Sequence, residues 1–552
     1  MTLQNPYGMT SEDLTVADYH QRSKHSLQKY ARGPDGLDWD TQPNPFRQFV
    51  GSATFTLPLP ARHLEVEYNH LFEAERIEPA RMDRSTLGAF FELSLGLSAW
   101  KVHGVDRWSL RVNPSSGNLH PTEAYLVFSG SNIMPGGVYH YHAYQHSLEQ
   151  RCNTQPQSAA IEKALPASGF LIGLSSIHWR EAWKYGERAY RYCQHDVGHA
   201  IAVLRYAAAT LGWRLSLLEH CSDEQIAQLL GLDRAADFKD AEQEHPDVLL
   251  YVQIDGAPIT GSVDIDALIE AVKQGEWKGQ ANCLSPDNPV HWAIIDQIAE
   301  QCSKPTTTAE QAELIDYPAP MPCDTKFDAS AIIRQRRSAQ AFDAQSELSL
   351  TRFYRMLDVL LPRRQIAPFD ALPWSPRIHL VLFVHRVQGL KPGLYVFARS
   401  AAGEVLLKQK MRQQFDWSRP PVCPDFLPLY HLVSANSRNA SRTLSCHQSI
   451  ASDGAFSVCM LAEFDEPLRD APWRYRQLFW EAGMIGQSLY LEAEAASVRG
   501  TGIGCYFDDA VHETLGLDDS SLQAVYHFTV GTPVLDTRLI SLPPYGHLKD
   551  RD

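Results

Sequence analysis

One block of this 552-residue chain is written twice. Tyr190, Arg191, Asp196, Gly198, Leu204, Ala208, Gly231 and Leu232 return as Tyr475, Arg476, Glu481, Gly483, Leu489, Ala493, Gly516 and Leu517, each 285 positions later, with no insertion or deletion between them. Chance does not keep such a register, so the chain reads as one fold made twice. The copies differ in two places. Where the second has Gly500-Thr501-Gly502-Ile503-Gly504, the first has Trp213 to Leu217 and no glycine in that stretch. Where the first has Asn113-Pro114-Ser115-Ser116-Gly117-Asn118 before a strand, the second has only Pro373-Trp374-Ser375-Pro376. Two half-sites in two halves point to one shared site.

A chain this long, 44% hydrophobic, can build two or more domains with full cores. Its net charge of -15 and pI near 5.8 argue against nucleic acid, which needs a clustered positive surface. A small or peptide substrate is expected instead. The ten cysteines form no C-x-x-C pair and read as reduced, mostly buried thiols. The start, Met1 to Pro6, lacks a basic-then-apolar leader, and no run of about 18 apolar residues occurs, so the expectation is a cytoplasmic protein with no membrane partner.

The pattern divides the chain into an N-terminal arm (1–60), a first domain (61–260), a helical segment with a proline-rich linker (261–324) and a second domain (325–552). The arm is polar and proline-punctuated apart from a helical stretch from Asp13 to Tyr30. Helical spacing of Leu87, Phe90, Phe91 and Leu95 predicts a helix over 85–101. Strand 123–128 should pair with 138–141 across a Pro135-Gly136-Gly137 turn, and 378–384 with 394–397 across Lys391-Pro392-Gly393. Each half continues with a long helix, about 187–212 and 472–498. Each ends in a strand leading to a Gly-x-Pro turn, Gly256-Ala257-Pro258 or Gly531-Thr532-Pro533.

Three motifs carry possible chemistry. The helix end Arg336-Arg337-Ser338-Ala339-Gln340 offers two guanidinium forks and a hydroxyl, a donor set suited to a phosphate dianion. It also reads as a solvated basic helix end answering the helix dipole. The alternate glycines 500, 502 and 504 fail G-x-G-x-x-G, because Cys505 stands where the third glycine belongs. Glycine allows close backbone approach and freedom in φ, letting main-chain N–H groups face a planar ring. A plain C-cap and tight turn would use the same residues. The loop Pro114, Ser115, Ser116, Gly117, Asn118 is small and polar enough to lie along a heterocycle edge, or it is a connection rich in turn formers.

Together the helix end, the Pro-Ser-Ser-Gly-Asn loop, the long helix and the Gly-x-Gly turn resemble the FMN-dependent nitroreductase superfamily. Trp183-Lys184-Tyr185-Gly186-Glu187-Arg188-Ala189-Tyr190-Arg191 with Gly198-His199-Ala200 is similar, more narrowly, to the azoline dehydrogenases of SagB type. The resemblance covers roughly 85–258 and 325–545. It implies two tandem α+β domains forming an intrachain pseudo-dimer with one FMN between them. The second domain would give the phosphate anchor, Arg336, Arg337, Ser338 and Gln340, and the glycine segment Gly500, Thr501, Gly502, Ile503 and Gly504. The first would give Pro114 to Asn118. Arg538 matches a late phosphate-binding arginine of the family, while Gln340 stands where a second basic residue is usual. The opposite site would need Lys24-His25-Ser26 as its anchor and is expected to be empty or vestigial.

The resemblance also implies that Lys184 and Tyr185 remove a substrate proton. A lysine can do so only if burial or nearby positive charge lowers its pKa, and Arg180 and Arg188 lie one turn either side. Otherwise Lys184 is a surface lysine on an amphipathic helix. His140, His142 and His146 have no carboxylate or cysteine at metal-ligand spacing, so no metal is expected. In Cys446-His447-Gln448 neighbouring side chains point apart, which leaves Gln448 as a possible neighbour of a flavin only.

The expectation is therefore an FMN oxidoreductase moving a hydride between flavin N5 and a small-molecule or modified-peptide substrate, with NAD(P)H a candidate electron donor and further association into a homo-oligomer open. The alternative is a non-catalytic module that binds flavin or peptide within a biosynthetic complex. The direction of the redox reaction is open.

Overall fold

The computed structural model describes residues 14–165, 168–257, 262–286, 290–308, 310 and 312–548. Met1 to Asp13 and Pro258, on which expectations were placed, lie outside them. Each half is built on an antiparallel sheet. In the first, strands run Ser147–Asn153, Gly137–His142, Thr122–Phe128, Gly169–Ser176, His245–Gln253, Arg214–Leu217 in spatial order. In the second the order is Leu429–Ser434, Gly393–Phe397, Ile378–Val384, Phe456–Glu463, Leu522–Gly531, Arg499–Ile503. The sequence of connections is the same in both. The two expected hairpins form, with Tyr125 opposite His140 and Leu382 opposite Tyr395.

Between the sheets lie two helices of 22 residues, Ala189–Thr210 and Arg474–Ala495. Every residue of the first is buried. A helix covered on all sides has to pair its polar residues inside the protein. It does so across the halves: Arg191 reaches Asp508 at 2.8 Å, and Arg476 reaches Asp223 at 2.9 Å. One apolar core, spanning both halves, surrounds these helices, while separate clusters cover the outer face of each sheet.

The repeat persists in its details. Helices Asp223–Leu230 and Asp508–Leu515 each end on a left-handed glycine, Gly231 at φ 73° and Gly516 at φ 74°. Gly198 and Gly483 meet where the long helices cross. A Cβ on Gly198 would stand 2.2 Å from the Trp480 carbonyl oxygen, and one on Gly483 2.3 Å from that of His195.

Three expectations are corrected. The helix predicted over 85–101 stops at Ser94, and Leu97–His103 is a strand paired with Asp106–Arg111. Gly96 breaks the helical run, and the alternation after it satisfies a hairpin turning at Gly104, φ 60°. The arm's helix covers only Val16–Arg22, because residues beyond it turn back so that His25 bridges to Phe507. Residues Ala53–Thr56 do not merely wrap the first domain but add a strand against Ser147–Asn153. Among the described residues no helix is long and apolar enough to cross a membrane.

Candidate functional site

The glycine segment is not a turn. Arg499–Ile503 is the edge strand of the second sheet, with Gly500 opposite Val530 and Gly502 opposite Phe528. None of Gly500, Gly502 or Gly504 has a positive φ, so close approach and not backbone freedom requires glycine here. A Cβ on Gly502 would lie 1.9 Å from the Tyr526 hydroxyl, and one on Gly504 2.3 Å from the Tyr192 ring.

Helix Ala329–Gln335 delivers the basic segment alongside this strand. Ala339 N–H donates to the Gly500 carbonyl at 3.0 Å, the Thr501 hydroxyl donates to the Ala339 carbonyl at 3.0 Å, and the Ser338 and Tyr490 hydroxyls share a bond of 2.8 Å. Arg336 is buried beneath, donating to the Val112 and Arg111 carbonyls at 3.1 Å each, with its guanidinium 5.0 Å from the Tyr490 ring centre. Arg337 donates to the carbonyls of Arg334, Arg336 and Ser98. Burial and then the charge of Arg336 pull Arg337 down to about 9, and Lys101 is lowered by burial and then by Arg337 and Arg499. Arg336, Arg337, Arg499 and Lys101 thus crowd around one carboxylate, Glu494, with Arg334, paired to Glu92, beside them. An anion set among them would relieve that repulsion.

The serine loop arrives from the first half. Gly117 and Asn118 take φ of 60° and 61°. Asp196, on the first long helix, fixes the loop by accepting from the Ser116 N–H at 3.1 Å and its hydroxyl at 3.3 Å. Its other oxygen, Oδ2, is buried without a well-formed hydrogen bond, with the Ser115 side chain beside the carboxyl. Burial pushes the Asp196 carboxyl up to about 7. Asn118 turns away, donating to the Ser109 carbonyl and meeting His120. Lys184 and Tyr185 close helix His178–Tyr185 against the same loop. A Cβ on Gly117 would lie 2.6 Å from the Tyr185 hydroxyl and 3.2 Å from Lys184 Nζ. Burial, then Glu181, holds the Tyr185 phenol well above its ordinary range. Arg180 and Arg188, expected to bear on Lys184, are engaged by carboxylates, Glu123 and Asp508.

These pieces enclose a cavity of about 320 Å³. Of the residues expected from the sequence, Pro114, Ser115, Ser116, Gly117, Tyr185, Ser338, Thr501, Gly502, Ile503, Gly504 and Gln448 line it. Arg336, Arg337 and Gly500 stand behind that lining, and Lys184 borders it through Gly117. Asn118, Gln340 and Arg538 are not part of it: Gln340 is exposed, and Arg538 is exposed and bound to Asp536 at 2.7 Å. Sequence reasoning missed Tyr192, Asp196, His199, Tyr490, Cys505 and Tyr526 in the lining, and Lys101 and Arg499 among the cations.

At the corresponding place in the other half, Arg205 stands where the repeat puts Tyr490. It donates two bonds of 2.9 Å to Asp370. Lys24 and His25 do not approach it, since Lys24 pairs with Asp509 and His25 is held by Asp508. His140, one of the three histidines weighed as metal ligands, sits between Glu123 and Glu149 at 3.0 and 2.9 Å, carboxylates that local spacing did not reveal. Among the described residues no group of three or more such side chains is arranged to hold a metal ion.

Comparison with known proteins adds a family likeness. The model of the nitroreductase family matches residues 78–240. A provisionally named nitroreductase of Methanocaldococcus jannaschii is 24% identical over 135 residues, which are 23% of this chain and 68% of that protein. A crystal structure from Anabaena variabilis, also provisionally named a nitroreductase, aligns with a TM-score of 0.68 at 23% identity, covering 94% of this chain and 100% of that one. Another, from Exiguobacterium sibiricum and in complex with FMN, covers 39% of this chain and 92% of its own at 13% identity and a TM-score of 0.22. The fold is therefore the mixed α+β nitroreductase fold, and residues 78–240 match the nitroreductase family model.

Proposed function

We propose that the chain is an FMN-dependent oxidoreductase with one flavin site, shared between its halves, acting on a small-molecule or modified-peptide substrate. The observation that carries this reading is the cavity walled by the serine loop of one half and the glycine strand of the other, with a group of cations that outnumbers its one carboxylate, Glu494, behind it. The donor set fits the group: Arg336, Arg337, Arg499 and Lys101 would hold the phosphate, while Ser115, Ser116, Thr501 and Gln448 offer polar contacts to a ring. Bound there, FMN would supply a two-electron, hydride-exchanging ring.

The chain's own residues manage protons and water. Tyr185 keeps its phenolic proton at neutral pH and acts as a hydrogen-bond donor at the cavity wall. Lys184, at the same loop, supports the SagB-type reading in which this pair meets the substrate proton. Asp196 changes protonation close to neutrality and has an oxygen without a well-formed hydrogen bond, so it can take or return a proton at Oδ2. Tyr192, Tyr490 and Tyr526 give the cavity apolar walls that limit water.

The test is the flavin content and redox response of the purified protein. The expected result is one flavin per chain, bleached by NAD(P)H or by an azoline-type substrate. Colourless protein that ignores added FMN would support the non-catalytic module instead.

A further inference from the structure

Beyond the flavin reading, the cavity wall holds a pair of cysteines that come from distant parts of the second half. The segment 505–507, just past the glycine strand, crosses the loop 444–448, tied by Phe507 N–H to the Leu444 carbonyl at 2.8 Å and by Gln448 Nε2 to the Cys505 carbonyl at 3.2 Å. Between these two bonds the side chains of Cys446 and Cys505 come together closely enough that each shifts the other's titration. Both are free and partly accessible, and Cys505 lines the cavity.

The loop is held in an unfavourable shape to bring this about. Cys446 and His447 are consecutive non-glycine residues with φ of 52° and 60°, a left-handed conformation that side chains beyond glycine rarely adopt. The surroundings are equally specific. His25 Nδ1 accepts from the Ala31 N–H at 2.8 Å, so a neutral ring carries its proton on Nε2, and the ring hydrogen-bonds to the Cys505 side chain. Arg188 donates to the Gly504 carbonyl at 3.2 Å, bringing a cation next to the same thiol. Tyr30 of the arm hydrogen-bonds to Cys446. The Cys446 thiol, then His25 and Arg188, hold Cys505 down at about 5 against the opposing effect of burial. Burial instead raises the thiols of Cys152, Cys193, Cys221, Cys302 and Cys459. A thiolate stabilised by a hydrogen-bond donor and a nearby cation is the reactive form of cysteine.

We propose that Cys446 and Cys505 are a thiol–disulfide exchange couple in the cavity wall, with Cys505 as the attacking thiolate, Cys446 as the resolving thiol and a low-molecular-weight disulfide as co-reactant. In the first step the Cys505 sulfur bonds to one sulfur of the co-reactant, whose S–S bond breaks and releases one thiolate. In the second, Cys446 loses its proton and its sulfur bonds to that of Cys505, expelling the other thiolate. The two cysteines lose two electrons and the co-reactant gains them, leaving as two thiols once protonated. Closure brings the sulfurs to about 2.05 Å and pins the 444–448 loop to the end of the glycine strand. Gln448 and Cys505 both line the cavity, so the couple also sets its shape.

The experiment treats the full-length protein with oxidised glutathione and maps its peptides under non-reducing conditions. The expected product joins the peptide bearing Cys446 to that bearing Cys505, two hydrogens lighter and reversed by dithiothreitol. C446S should accumulate glutathione on Cys505, and C505S should leave Cys446 unmodified at the same dose. Should either variant fail to fold, iodoacetamide labelling of the unaltered protein decides: Cys505 should react at least about tenfold faster than the similarly half-buried Cys323 and Cys423. An unchanged wild-type mass, modification confined to the exposed Cys283, or equal labelling rates would overturn the proposal.

Discussion

Arg191 of the first long helix crosses to Asp508 of the second half at 2.8 Å, and their repeat equivalents, Arg476 285 positions after Arg191 and Asp223 285 positions before Asp508, make the return contact at 2.9 Å. In a two-fold interface residue i meets j while j meets i. Here that reciprocity lies within one chain. The symmetry is not complete, because Asp508 also accepts from Arg188 at 3.1 Å and from the His25 backbone N–H at 3.0 Å, whereas Asp223 accepts from the Lys304 backbone N–H. The extra partners lie on the side of the cavity.

That asymmetry predicts unequal costs. Asp508→Asn leaves two buried guanidinium groups without a counter-charge and should destabilise by about 3–5 kcal/mol, while Asp223→Asn strands one and should cost about half as much. Burial works against the Asp508 carboxylate, yet Arg188 and Arg191 hold it at about 2. A depressed acid contributes stability above its unfolded pKa and loses it as pH falls through the folded value. The gap between wild type and Asp508→Asn in urea unfolding should therefore be constant above about pH 4 and narrow below it.

Gly483→Ala would ordinarily help a helix by about 1 kcal/mol. Here the new methyl meets the His195 carbonyl at 2.3 Å and Gly198 Cα at 2.9 Å, both backbone, which cannot rotate aside. The long helices must separate, at a net cost of about 1–3 kcal/mol. Thermal unfolding measures this. Gly198→Ala should behave alike, since its methyl meets the Trp480 backbone.

How far the sequence reveals this molecule depends on which contacts are local. The hairpins and the two long helices follow from patterns within a few residues, and the repeat relates the halves. The site was legible where glycine, serine and arginine cluster in short runs. Asp196 and Glu481 occupy the same place in the two copies and look interchangeable in sequence, but Glu481 meets the buried Arg399 while Asp196 has no cation and faces the cavity. Only the fold decides which acid is structural. Cys446 and Cys505 were missed for the same reason, because 58 intervening residues hide their contact.

On the proposed FMN reading, the cation cluster allows phosphate recognition to be tested apart from ring recognition. Burial and then Arg336 pull Arg337 down to about 9, which leaves it charged at neutral pH, so a dianion near it gains from two guanidinium groups at once. Arg337→Ala should weaken FMN binding by about 1.5–3 kcal/mol, the worth of a charged hydrogen bond, while leaving riboflavin binding unchanged. Titration of the apoprotein with both flavins checks this, and an equal loss for the two would place the phosphate elsewhere.

Asp196 gives the last prediction, and its sign differs from that of Asp508. Burial raises its carboxyl to about 7, so at intermediate pH the folded chain keeps a proton that the unfolded chain, titrating near 3.8, has released. Stability must then decline as pH rises from about 4 to about 7 and level off above. Asp196→Asn removes the ionisation but preserves an oxygen to accept from the Ser116 N–H and hydroxyl, and it places an amide where Oδ2 now lacks a well-formed hydrogen bond. The variant should match wild type near pH 4 and exceed it at about pH 8 by up to about 4 kcal/mol. Urea midpoints across that range decide the matter: a gap that widens with pH marks an acid kept protonated by the cavity, and parallel profiles would mean that Asp196 ionises like a surface carboxylate. The same substitution removes the proton acceptor at the serine loop, so turnover should fall where stability rises, the opposing trends expected of a group retained for function at a cost in folding.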